Sequence, residues 1–368
     1  MTGSRIAIIG CGFIGTIHSF ALRAIIGGGL ADATVVSACD HDVDKAVRLI
    51  ESHGAGVATA DVGEALGGAD AAWICTPTAT HKTVVEHCLA KRVAVYCEKP
   101  LATGLRGAEE ISGLVDAAGV ANQVGLVLRS SPPVAQLARL CRGEQVPGAP
   151  APETMGRPIA AFLRDDQYFP IGGMYGSKWR ADVGIAGGGT LIEHSIHDVD
   201  LLSWMFGPVV SVTARTANHA GHAGIEDVAA LTLEHETGVT AQLLSVWHGL
   251  ETRPSTRRLE VFFEKAHSVL EDESAGPVRI ERAESSTEVG MPEEALALME
   301  SLPVAEGLKT AVLAYVSADL GFLRSIAAGV PPVPGLDVAV EAHRVVEAAY
   351  RSAASGGIPE VPDRSRAG

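Results

Sequence analysis

A glycine-rich run near the start of the chain constrains its fold more than any other feature. Gly10-Cys11-Gly12-Phe13-Ile14-Gly15 follows a short apolar segment, Arg5–Ile9, and opens a segment with helical periodicity, Ile14–Ile26. This is the G-x-G-x-x-G spacing at a strand-to-helix turn. Gly10 permits a tight turn, Gly12 lets a pyrophosphate approach the backbone, and Gly15 lets the helix pack closely on the strand. The run therefore predicts a dinucleotide-binding βαβ unit.

The first third of the chain alternates apolar strand-like segments with helical segments. The predicted strands are Arg5–Ile9, Thr34–Cys39, Val57–Thr59, Ala71–Thr76, Val93–Cys97 and Asn122–Leu128. The predicted helices are Ile14–Ile26, Asp42–Ser52, Val62–Leu66, Thr80–Lys91 and Leu105–Ala118. Strands that are apolar throughout and alternate with helices are typical of a parallel sheet covered on both faces. The pattern predicts an α/β fold with an N-terminal, doubly wound Rossmann domain over residues 1–129.

After Arg129 the predicted strands follow one another with short turns. They are Ile159–Leu163, Val209–Ala217, Val228–Leu233, Val239–Trp247, Leu259–Phe263 and Ser268–Glu271. The predicted helices are Thr190–Met205, Leu308–Ala328 and Val338–Ser355, and the Gly- and Pro-rich segment Leu140–Glu153 is predicted to be a loop. This order predicts a C-terminal α+β domain, residues 130–355, with a largely antiparallel, open-faced sheet. Residues 356–368 are predicted to be a flexible tail.

Charge and hydropathy exclude several classes of partner. The chain has 44 acidic and 29 basic residues, a formal net charge of −15, and no basic cluster of the kind that binds nucleic acid. No apolar run reaches the roughly 18 residues that span a bilayer, and no signal peptide precedes the first strand. We therefore expect a cytoplasmic protein that binds neither nucleic acid nor membrane. The cysteines form no CxxC pair and are expected to be buried, reduced side chains.

Asp40 ends the second predicted strand and favours NAD over NADP as the dinucleotide. An acidic side chain at this place accepts hydrogen bonds from the adenosine ribose hydroxyls. A 2′-phosphate would meet this carboxylate without an adjacent arginine to offset it. Asp40 could instead cap the next helix, but Asp42 is the better cap by position.

Further polar residues follow other strands of the predicted parallel sheet. Thr76, Pro77 and His81 come after the fourth strand, and Glu98-Lys99-Pro100 comes after the fifth. Open α/β sheets bind their ligands at the carboxyl ends of the strands. The predicted cofactor-binding residues are therefore Gly10, Gly12, Phe13, Ile14, Gly15, Asp40, Thr76, Pro77, His81, Glu98 and Lys99. Later in the chain, Gly187-Gly188-Gly189 leads into a predicted helix that carries Glu193 and His197.

These motifs occur in the order that is found in the glucose–fructose oxidoreductase/inositol dehydrogenase (Gfo/Idh/MocA) family, which the chain resembles from about Arg5 to Tyr350. The resemblance implies a Rossmann domain followed by an open-faced sheet domain through which members often oligomerise, here as a homodimer or homotetramer. It also implies a substrate site lined by the lysine of Glu-Lys-Pro and by an Asp/His pair four residues apart. By position these residues are Lys99, Glu193 and His197. Glu193 stands where inositol dehydrogenases have Asp, which argues against inositol itself.

The same residues suit the oxidation of a ring alcohol. Oxidation needs a base for the hydroxyl proton while a hydride leaves for the nicotinamide. His197 titrates near neutrality and is the natural acceptor, whereas Lys99 can hydrogen-bond the same oxygen or move the proton itself. Glu193, four residues before His197, is expected on the same helix face, where it could orient the imidazole or accept a substrate hydroxyl.

Two further groups of residues could contact the substrate or only stabilise the fold. Trp179 and Arg180, with Tyr168 and Tyr175, could bind a polyol through an aromatic face and a guanidinium group, or could pack in a core or domain interface. Arg129 could serve the site or brace the domain junction. Glu193, His194, His197 and Asp198 could suggest a metal site, but the H-E-x-x-H arrangement is missing and no metal is predicted.

The sequence thus predicts an NAD-dependent oxidoreductase that interconverts a secondary alcohol and a ketone on a sugar, cyclitol or related polyol ring. One alternative keeps the same site but retains NAD and uses transient oxidation for glycoside cleavage or elimination. An alternative of another class is a non-catalytic NAD-binding regulator, against which the presence of Lys99, Glu193 and His197 together argues.

Overall fold

Strands and helices alternate along residues 4–124, as the sequence predicts. The computed structural model describes residues 3–173 and 175–364. The strands of this region are β1 Ser4–Ile9, β2 Ala33–Cys39, β3 Val57–Thr59, β4 Ala71–Ile74, β5 Ala94–Cys97 and β6 Asn122–Val124. The helices are α1 Phe13–Gly27, α2 Val43–Glu51, α3 Val62–Ala65, α4 His81–Ala90 and α5 Leu105–Ala118.

The six strands form one parallel sheet in the order β3-β2-β1-β4-β5-β6. Strand order reverses between β1 and β4, because β1 pairs with β2 on one side and with β4 on the other. The crevice at such a reversal is where doubly wound sheets bind dinucleotides. The predicted Rossmann fold is confirmed, and the glycine turn that follows β1 lies at this reversal.

The next part of the chain holds a second sheet and short helices. Its helices are α6 Pro132–Cys141, α7 Pro152–Met155, α8 Val183–Ala186, α9 Thr190–Glu193, α10 Ile196–Phe206 and α11 Glu293–Ser301. Its strands are β7 Pro158–Tyr168, β8 Val209–Ala217, β9 Val228–His235, β10 Thr240–His248, β11 Thr256–Phe263, β12 His267–Leu270, β13 Val278–Arg282 and β14 Ser285–Val289. Two long helices follow, α12 Glu306–Ala328 and α13 Leu336–Ala354.

The second sheet has eight strands in the order β14-β13-β12-β11-β7-β10-β9-β8. All neighbouring pairs are antiparallel except β7 and β10, which are parallel. The predicted, largely antiparallel sheet is therefore confirmed. One face packs on α6, α10 and α13 around Leu163, Leu243 and Phe206. On the other face, Phe162, Leu244 and Phe262 are 49%, 42% and 40% exposed, respectively.

The chain divides into two compact units, and the first unit consists of two chain segments. Residues 1–127 and 298–340 form unit 1, and residues 128–297 and 341–368 form unit 2. Residues 298–340 were expected in the second domain, 130–355, but they belong to unit 1. The physical reason is apolar packing, because Val316, Leu320 and Phe322 of α12 lie in the core that also contains Ile8 and Leu22.

Among the described residues, helix α12 meets the length and composition requirements for crossing a membrane, although no segment of this kind was expected from the sequence. Of its apolar 18-residue window, 39% is buried in the structure. Its side chains Val316, Leu320, Phe322 and Leu323 belong to the core of unit 1. The apolar character of α12 thus has a structural explanation within the unit.

Three local expectations need correction. The predicted helix Thr190–Met205 is two helices, α9 and α10, with a break at His194 and Ser195. The predicted loop Leu140–Glu153 begins in the last turn of α6 and ends in α7, and α6 itself was not predicted. In the predicted tail, Glu360 exchanges two backbone hydrogen bonds of 2.8 Å with Val212, which ties the segment to β8. Residues 365–368 of that tail lie outside the described residues.

Candidate active site

The glycine turn joins β1 to α1 with the backbone geometry that its sequence predicts. Gly10 has φ +95°, a left-handed conformation that favours glycine, and its N–H donates to the Cys39 carbonyl at 2.7 Å. A Cβ on Gly15 would lie 2.0 Å from the Gly10 carbonyl oxygen. Both glycines are therefore required by the close approach of turn, strand and helix.

Gly12 is the residue whose surroundings fit a dinucleotide phosphate. It is the N-cap of α1 and offers no side-chain cap to the first turn of the helix. A Cβ on Gly12 would meet no atom within 4 Å, so open space faces the turn at this point. An anion in that space would meet the positive end of the helix dipole. The predicted cofactor contacts of Gly12, Phe13 and Ile14 remain predictions.

Asp40 follows β2 and is turned towards the glycine turn. Its Oδ2 accepts a hydrogen bond from the Cys11 N–H at 2.8 Å, and its Oδ1 accepts one from the Asp42 N–H at 2.9 Å. Asp42 is the N-cap residue of α2, as expected, but its side chain makes no capping hydrogen bond. The Asp40 carboxylate thus has a fixed position beside the turn, which suits recognition of ribose hydroxyls.

Asp40→Ser should reduce the discrimination between the two dinucleotides. Serine can still accept a hydrogen bond, but it removes the negative charge that opposes a 2′-phosphate. We expect the ratio of NADH to NADPH affinity to fall by about tenfold, the equivalent of one charged contact of about 1.4 kcal/mol. Fluorescence titration of both reduced dinucleotides measures this ratio. Asp42→Ser is the matched control, and an unchanged ratio in Asp40→Ser would remove the ribose role from Asp40.

The loops after β4 and β5 are joined by a buried histidine. His81 is the first residue of α4, and its Nε2 lies 2.9 Å from the Thr76 carbonyl oxygen. Its Nδ1 lies 3.3 Å from the carbonyl oxygen of Leu101, in the loop that follows Pro100. His81 therefore holds two ligand-side loops of the parallel sheet together. The contacts of Thr76, Pro77 and His81 with a cofactor remain predictions.

Glu98 and Lys99 follow directly after β5. Glu98 is buried, and its Oε1 lies 3.0 Å from Nε2 of His18, a residue that the sequence analysis did not select. Its Oε2 accepts the Lys99 backbone N–H at 3.3 Å. Lys99 itself is partly exposed. The carboxylate of Glu98 is thus engaged inside the unit, while Lys99 occupies the carboxyl end of a central strand, where ligands bind.

In unit 2, the Gly187–Gly189 run is shaped by Glu226. A Cβ on Gly189 would lie 1.9 Å from the Glu226 carbonyl oxygen, so the glycine permits this approach. The Glu226 carboxylate accepts hydrogen bonds from the N–H groups of Gly189 and Leu191 at 2.8 and 3.0 Å, and from the Tyr350 hydroxyl at 2.9 Å. Glu226 therefore caps the start of α9, a role that sequence spacing does not reveal.

The break between α9 and α10 changes the expected relation of Glu193 and His197. Glu193 is the last residue of α9, and His197 lies in the first turn of α10. The Ser195 N–H donates to the Thr190 carbonyl at 2.8 Å, which closes the first helix before the second begins. The two residues are therefore not an i, i+4 pair on one continuous helix. Both side chains are buried, and their catalytic roles remain predictions.

Arg180 and Glu193 form an ion pair. The Arg180 Nε lies 2.9 Å from Glu193 Oε2, and the guanidinium carbon lies 4.5 Å from the centre of the Trp179 ring. The Glu193 side chain is fully buried, whereas that of Arg180 is 22% exposed. Two of the predicted substrate-binding residues are thus brought together, and the Arg180 guanidinium balances the negative charge of the Glu193 carboxylate.

Arg180→Met should destabilise unit 2, because it leaves the Glu193 carboxylate buried without its cation. Removal of one partner of a buried pair costs about 3 kcal/mol. Thermal and urea unfolding of the variant measure this loss. In the double variant Arg180→Met/Glu193→Gln the buried charge is also removed, so we expect most of the stability to return. A single variant as stable as the parent protein would contradict the importance of this pair.

Trp179 packs in an aromatic cluster near a cavity of unit 2. The cluster contains Ala186, Ile225 and Trp247, with Phe169 and Trp179 packed against it. Phe169 and Trp247, together with Tyr168, also line a cavity of about 540 Å³ at the ends of β7 and β10. For Trp179 this contact supports the packing interpretation that the sequence left open.

Arg129 is engaged within unit 2. Its Nε and Nη2 bind the two Asp200 oxygens at 2.8 and 2.6 Å, and its guanidinium carbon lies 5.1 Å from the Trp204 ring centre. Burial raises the pKa of Asp200, although the hydrogen bond with Arg129 opposes this rise. Arg129 thus fixes the middle of α10, the helix that begins beside His197.

A second buried network holds the segment between α9 and α10. His194 Nε2 lies 3.0 Å from Asp165 Oδ1, and the Ser195 hydroxyl donates to Asp165 Oδ2 at 2.9 Å. Arg257 binds Asp165 Oδ2 at 3.1 Å and Asp198 Oδ1 at 2.8 Å. Burial raises the pKa of Asp198 to about 7, although Arg257 opposes this rise. The network was missed because its members come from three elements that are distant in sequence.

Comparison with known proteins agrees with this fold. The model of the oxidoreductase family with an NAD-binding Rossmann fold matches residues 4–126. The model of the GFO/IDH/MocA C-terminal domain matches residues 151–269. The chain therefore belongs to the Gfo/Idh/MocA family of oxidoreductases, and unit 1 contains the NAD-binding Rossmann fold of that family.

Named relatives are similar over part of the chain. An inositol 2-dehydrogenase of Rhizobium meliloti is 26% identical over 76% of this chain and 78% of its own length. A D-apiose dehydrogenase of Paraburkholderia graminis is 27% identical over 64% of this chain, and the match spans only 58% of that relative. Among solved structures, an oxidoreductase domain protein of Kribbella flavida is 20% identical, with a TM-score of 0.84 over 99% of this chain and all of that one. A levoglucosan dehydrogenase in complex with NADH and levoglucosan has a TM-score of 0.81 at 17% identity, over 98% of this chain and all of that one.

Proposed function

We propose that the protein is an NAD-dependent dehydrogenase that interconverts a secondary alcohol and a ketone on a sugar, cyclitol or related polyol ring. The observation that carries the proposal is the presence, in one chain of this family, of a nucleotide-binding turn together with Lys99, Glu193 and His197. A nucleotide-binding turn alone would also suit a regulator. Ionisable side chains retained at the three catalytic positions of the family favour an enzyme.

The preference for NAD rests on Asp40. Its carboxylate is fixed by two backbone N–H groups at 2.8 and 2.9 Å, so it cannot turn away from a dinucleotide ribose without losing both hydrogen bonds. A neighbouring imidazole, His41, lies 3.0 Å from Oδ1, but its side chain is 92% exposed and offers little fixed charge to a 2′-phosphate. Bound NAD⁺ supplies the hydride acceptor of the reaction.

Proton transfer is assigned to side chains of this chain. His197 accepts the proton of the substrate hydroxyl as general base and returns it in the reverse direction. Lys99 donates a hydrogen bond to the same oxygen and stabilises the alkoxide as it develops. Glu193 contributes a buried carboxylate, and Arg180 supplies its counter-charge at 2.9 Å.

The substrate class rests on the relatives and on the chemistry of the residues. The relatives described above carry the names inositol 2-dehydrogenase and D-apiose dehydrogenase, which refer to a cyclitol and to a sugar. Arg180, whose side chain is 22% exposed and is held by Glu193, can donate further hydrogen bonds to hydroxyl groups, as polyol recognition requires. Glu193 in place of the aspartate of inositol dehydrogenases favours a polyol other than inositol.

A spectrophotometric screen tests the proposed activity. The purified protein is incubated with NAD⁺, then with NADP⁺, against inositols, aldoses, amino sugars and sugar acids, and NADH is followed at about 340 nm. Accumulation of NADH with one ring polyol is the expected result. If NADH binds but no substrate yields free NADH, the protein would retain its cofactor for transient oxidation or act as a regulator, and the dehydrogenase proposal would fail.

The exposed sheet face supports a homo-oligomer. Phe162, Leu244 and Phe262 lie on neighbouring strands and leave 40–49% of their surface exposed. An apolar patch of this kind on a broad sheet is typical of a surface that another subunit covers. A dimer or tetramer would cover it without further partners.

Solution scattering at micromolar concentration should give the mass of a dimer or tetramer. Leu244→Glu places a charge in this apolar patch and should reduce the mass to that of one chain. Exchange of another exposed residue, Leu114→Glu on α5, is the control and should leave the mass unchanged. A monomeric mass for the parent protein would refute the oligomer.

A further inference from the structure

Unit 1 contains a buried cluster of three ionisable side chains that the proposed reaction does not use. His18 lies on α1, Asp319 lies on α12, and Glu98 follows β5. His18 and Asp319 are 0% exposed and Glu98 is 5% exposed. Charged groups are almost never buried to this extent unless they are paired, so the contacts of the cluster define what it does.

Each nitrogen of the His18 ring faces a carboxylate. Nδ1 lies 2.9 and 3.0 Å from the two Asp319 oxygens, and Nε2 lies 3.0 Å from Glu98 Oε1. The Trp73 indole N–H donates to Asp319 Oδ1 at 2.9 Å. The rings of Tyr96 and Tyr315 lie edge-on to His18, with centres 5.1 and 5.5 Å away. The cluster is therefore enclosed by protein groups.

This geometry fixes the charge of the cluster. Ionised carboxylates only accept hydrogen bonds, so both ring nitrogens of His18 must carry protons if both carboxylates are ionised. If one carboxylate held the second proton instead, the total charge of the three groups would still be −1. Burial lowers the pKa of His18, but Asp319 and Glu98 outweigh this effect and raise it to about 10. Both proton arrangements that satisfy this geometry therefore give the cluster one net negative charge.

Other titratable groups around the cluster stay neutral. Cys75 follows β4, and Tyr96 and Cys97 belong to β5. Burial raises the pKa of each of these groups well above its ordinary value. The phenol of Tyr315 on α12 completes the surroundings. The net charge of this region is therefore the net charge of His18, Asp319 and Glu98 together.

Glu98 connects the cluster to Lys99. One oxygen, Oε1, faces His18, and the other accepts the backbone N–H of Lys99 at 3.3 Å. On a third side, a Cβ at Gly125 would lie 2.2 Å from Oε1, so the Gly125 backbone closes the space around the carboxylate. These three contacts hold the Glu98 carboxylate in one position. They therefore also fix the backbone of Lys99, the next residue.

We infer that His18 and Asp319 are positioning residues for Lys99, which they serve by fixing Glu98 and by placing one net negative charge beside the lysine. The inference rests on the proposed function, in which Lys99 hydrogen-bonds the reacting oxygen. Because α1 begins at the glycine turn and carries His18, the same cluster links the cofactor-binding helix to the segment that holds Lys99. A negative charge nearby stabilises the ammonium form of a lysine and so supports it as a hydrogen-bond donor.

Asp319→Asn tests the electrostatic part of the inference without an enzymatic assay. The amide keeps the shape of the side chain, and its oxygen can accept from both the Trp73 indole N–H and the His18 Nδ1–H. His18 then keeps both protons, and the net charge of the cluster rises from −1 to 0. We expect the pKa of Lys99 to fall by about one unit, an ordinary size for the loss of one nearby negative charge in a protein. NMR titration of the ¹³C-methylated lysines measures this pKa, and Lys99→Arg assigns the signal. Asp337→Asn, an exposed position of α13, is the control and should leave the pKa unchanged.

His18→Gln tests the positioning part. Its kcat should fall at least tenfold while the Kd for NADH changes less than threefold, whereas His53→Gln, which removes another histidine beside α1, should change neither. If His18→Gln does not fold, the Asp319→Asn titration still decides. An unaltered Lys99 pKa in Asp319→Asn would overturn the inference whatever the substrate. A lowered pKa in a protein that oxidises no polyol would instead refute the proposed function and leave the inference standing.

Discussion

Lys99→Ala should lower kcat by about three orders of magnitude while the affinity for NADH stays within about threefold of the parent value. The variant removes the hydrogen-bond donor that stabilises the developing alkoxide, and loss of one such donor costs about 10²–10³ in kcat. Loss of any part that the ammonium group plays in proton transfer adds to this. The backbone of Lys99, which binds Glu98 Oε2, remains in place, so the nucleotide-binding turn is not disturbed.

The matched control is Lys91→Ala, which removes an exposed lysine after α4 in the same unit. It should leave kcat and the NADH affinity unchanged. Steady-state kinetics on the polyol found in the screen, together with fluorescence titration of NADH, measure both quantities. A Lys99→Ala variant that turns over like the parent protein would remove Lys99 from the reaction. Equal losses of kcat and NADH affinity would point to a structural defect.

His197→Gln should lower kcat by about 10²–10³ because it removes the general base without removing a hydrogen-bonding side chain. His197 lies in the first turn of α10 and is buried, so glutamine, which has a similar length, keeps the packing of that turn. We expect the thermal unfolding temperature to change by only a few degrees. The reverse reaction should be slowed to the same extent, because the same group returns the proton to the alkoxide.

His87→Gln, an exposed substitution on α4, is the control for this variant and should behave as the parent protein. The double variant Lys99→Ala/His197→Gln separates two possibilities that the sequence left open. If Lys99 and His197 act in one proton-transfer step, the losses should be less than additive. Normal turnover of His197→Gln would exclude His197 as the base and leave Lys99 to move the proton.

Much of the fold could be predicted because its signals are local. The apolar segments that became β1 to β6 alternate with helical segments, and this alternation alone specifies a parallel sheet. The second sheet was recognised from closely spaced strands, but the parallel pairing of β7 with β10 has no local signal. Helix α6 was missed because its start, Ser131-Pro132-Pro133, resembles a turn, although proline in the first turn of a helix is favourable.

The site was predictable where residue type and strand position coincide. Asp40 and Lys99 follow strands, so their location could be derived from the order of the strands. The cluster around Glu98 could not be predicted from the sequence. Its members are far apart in the chain, and Asp319, which binds His18, lies 301 positions after it. The break at His194 was not predicted, because the apolar helical pattern continues through this residue. Its side chain instead contacts Asp165 of β7, which the local sequence does not reveal. Long-range pairing of buried charges is the information that a single sequence lacks.

The division of unit 1 into two segments has a consequence for how the chain acquires its structure. When a ribosome has produced residue 127, the strands of the Rossmann sheet exist, but α12, which buries Ile8 and Leu22 on one side, has not been made. Unit 2 is synthesised before the first unit can be completed. Asp319 also arrives late, so until then His18 and Glu98 face each other without the second carboxylate. The nucleotide-binding unit can thus be completed only after α12 has been synthesised, and NAD should not bind before that helix is in place.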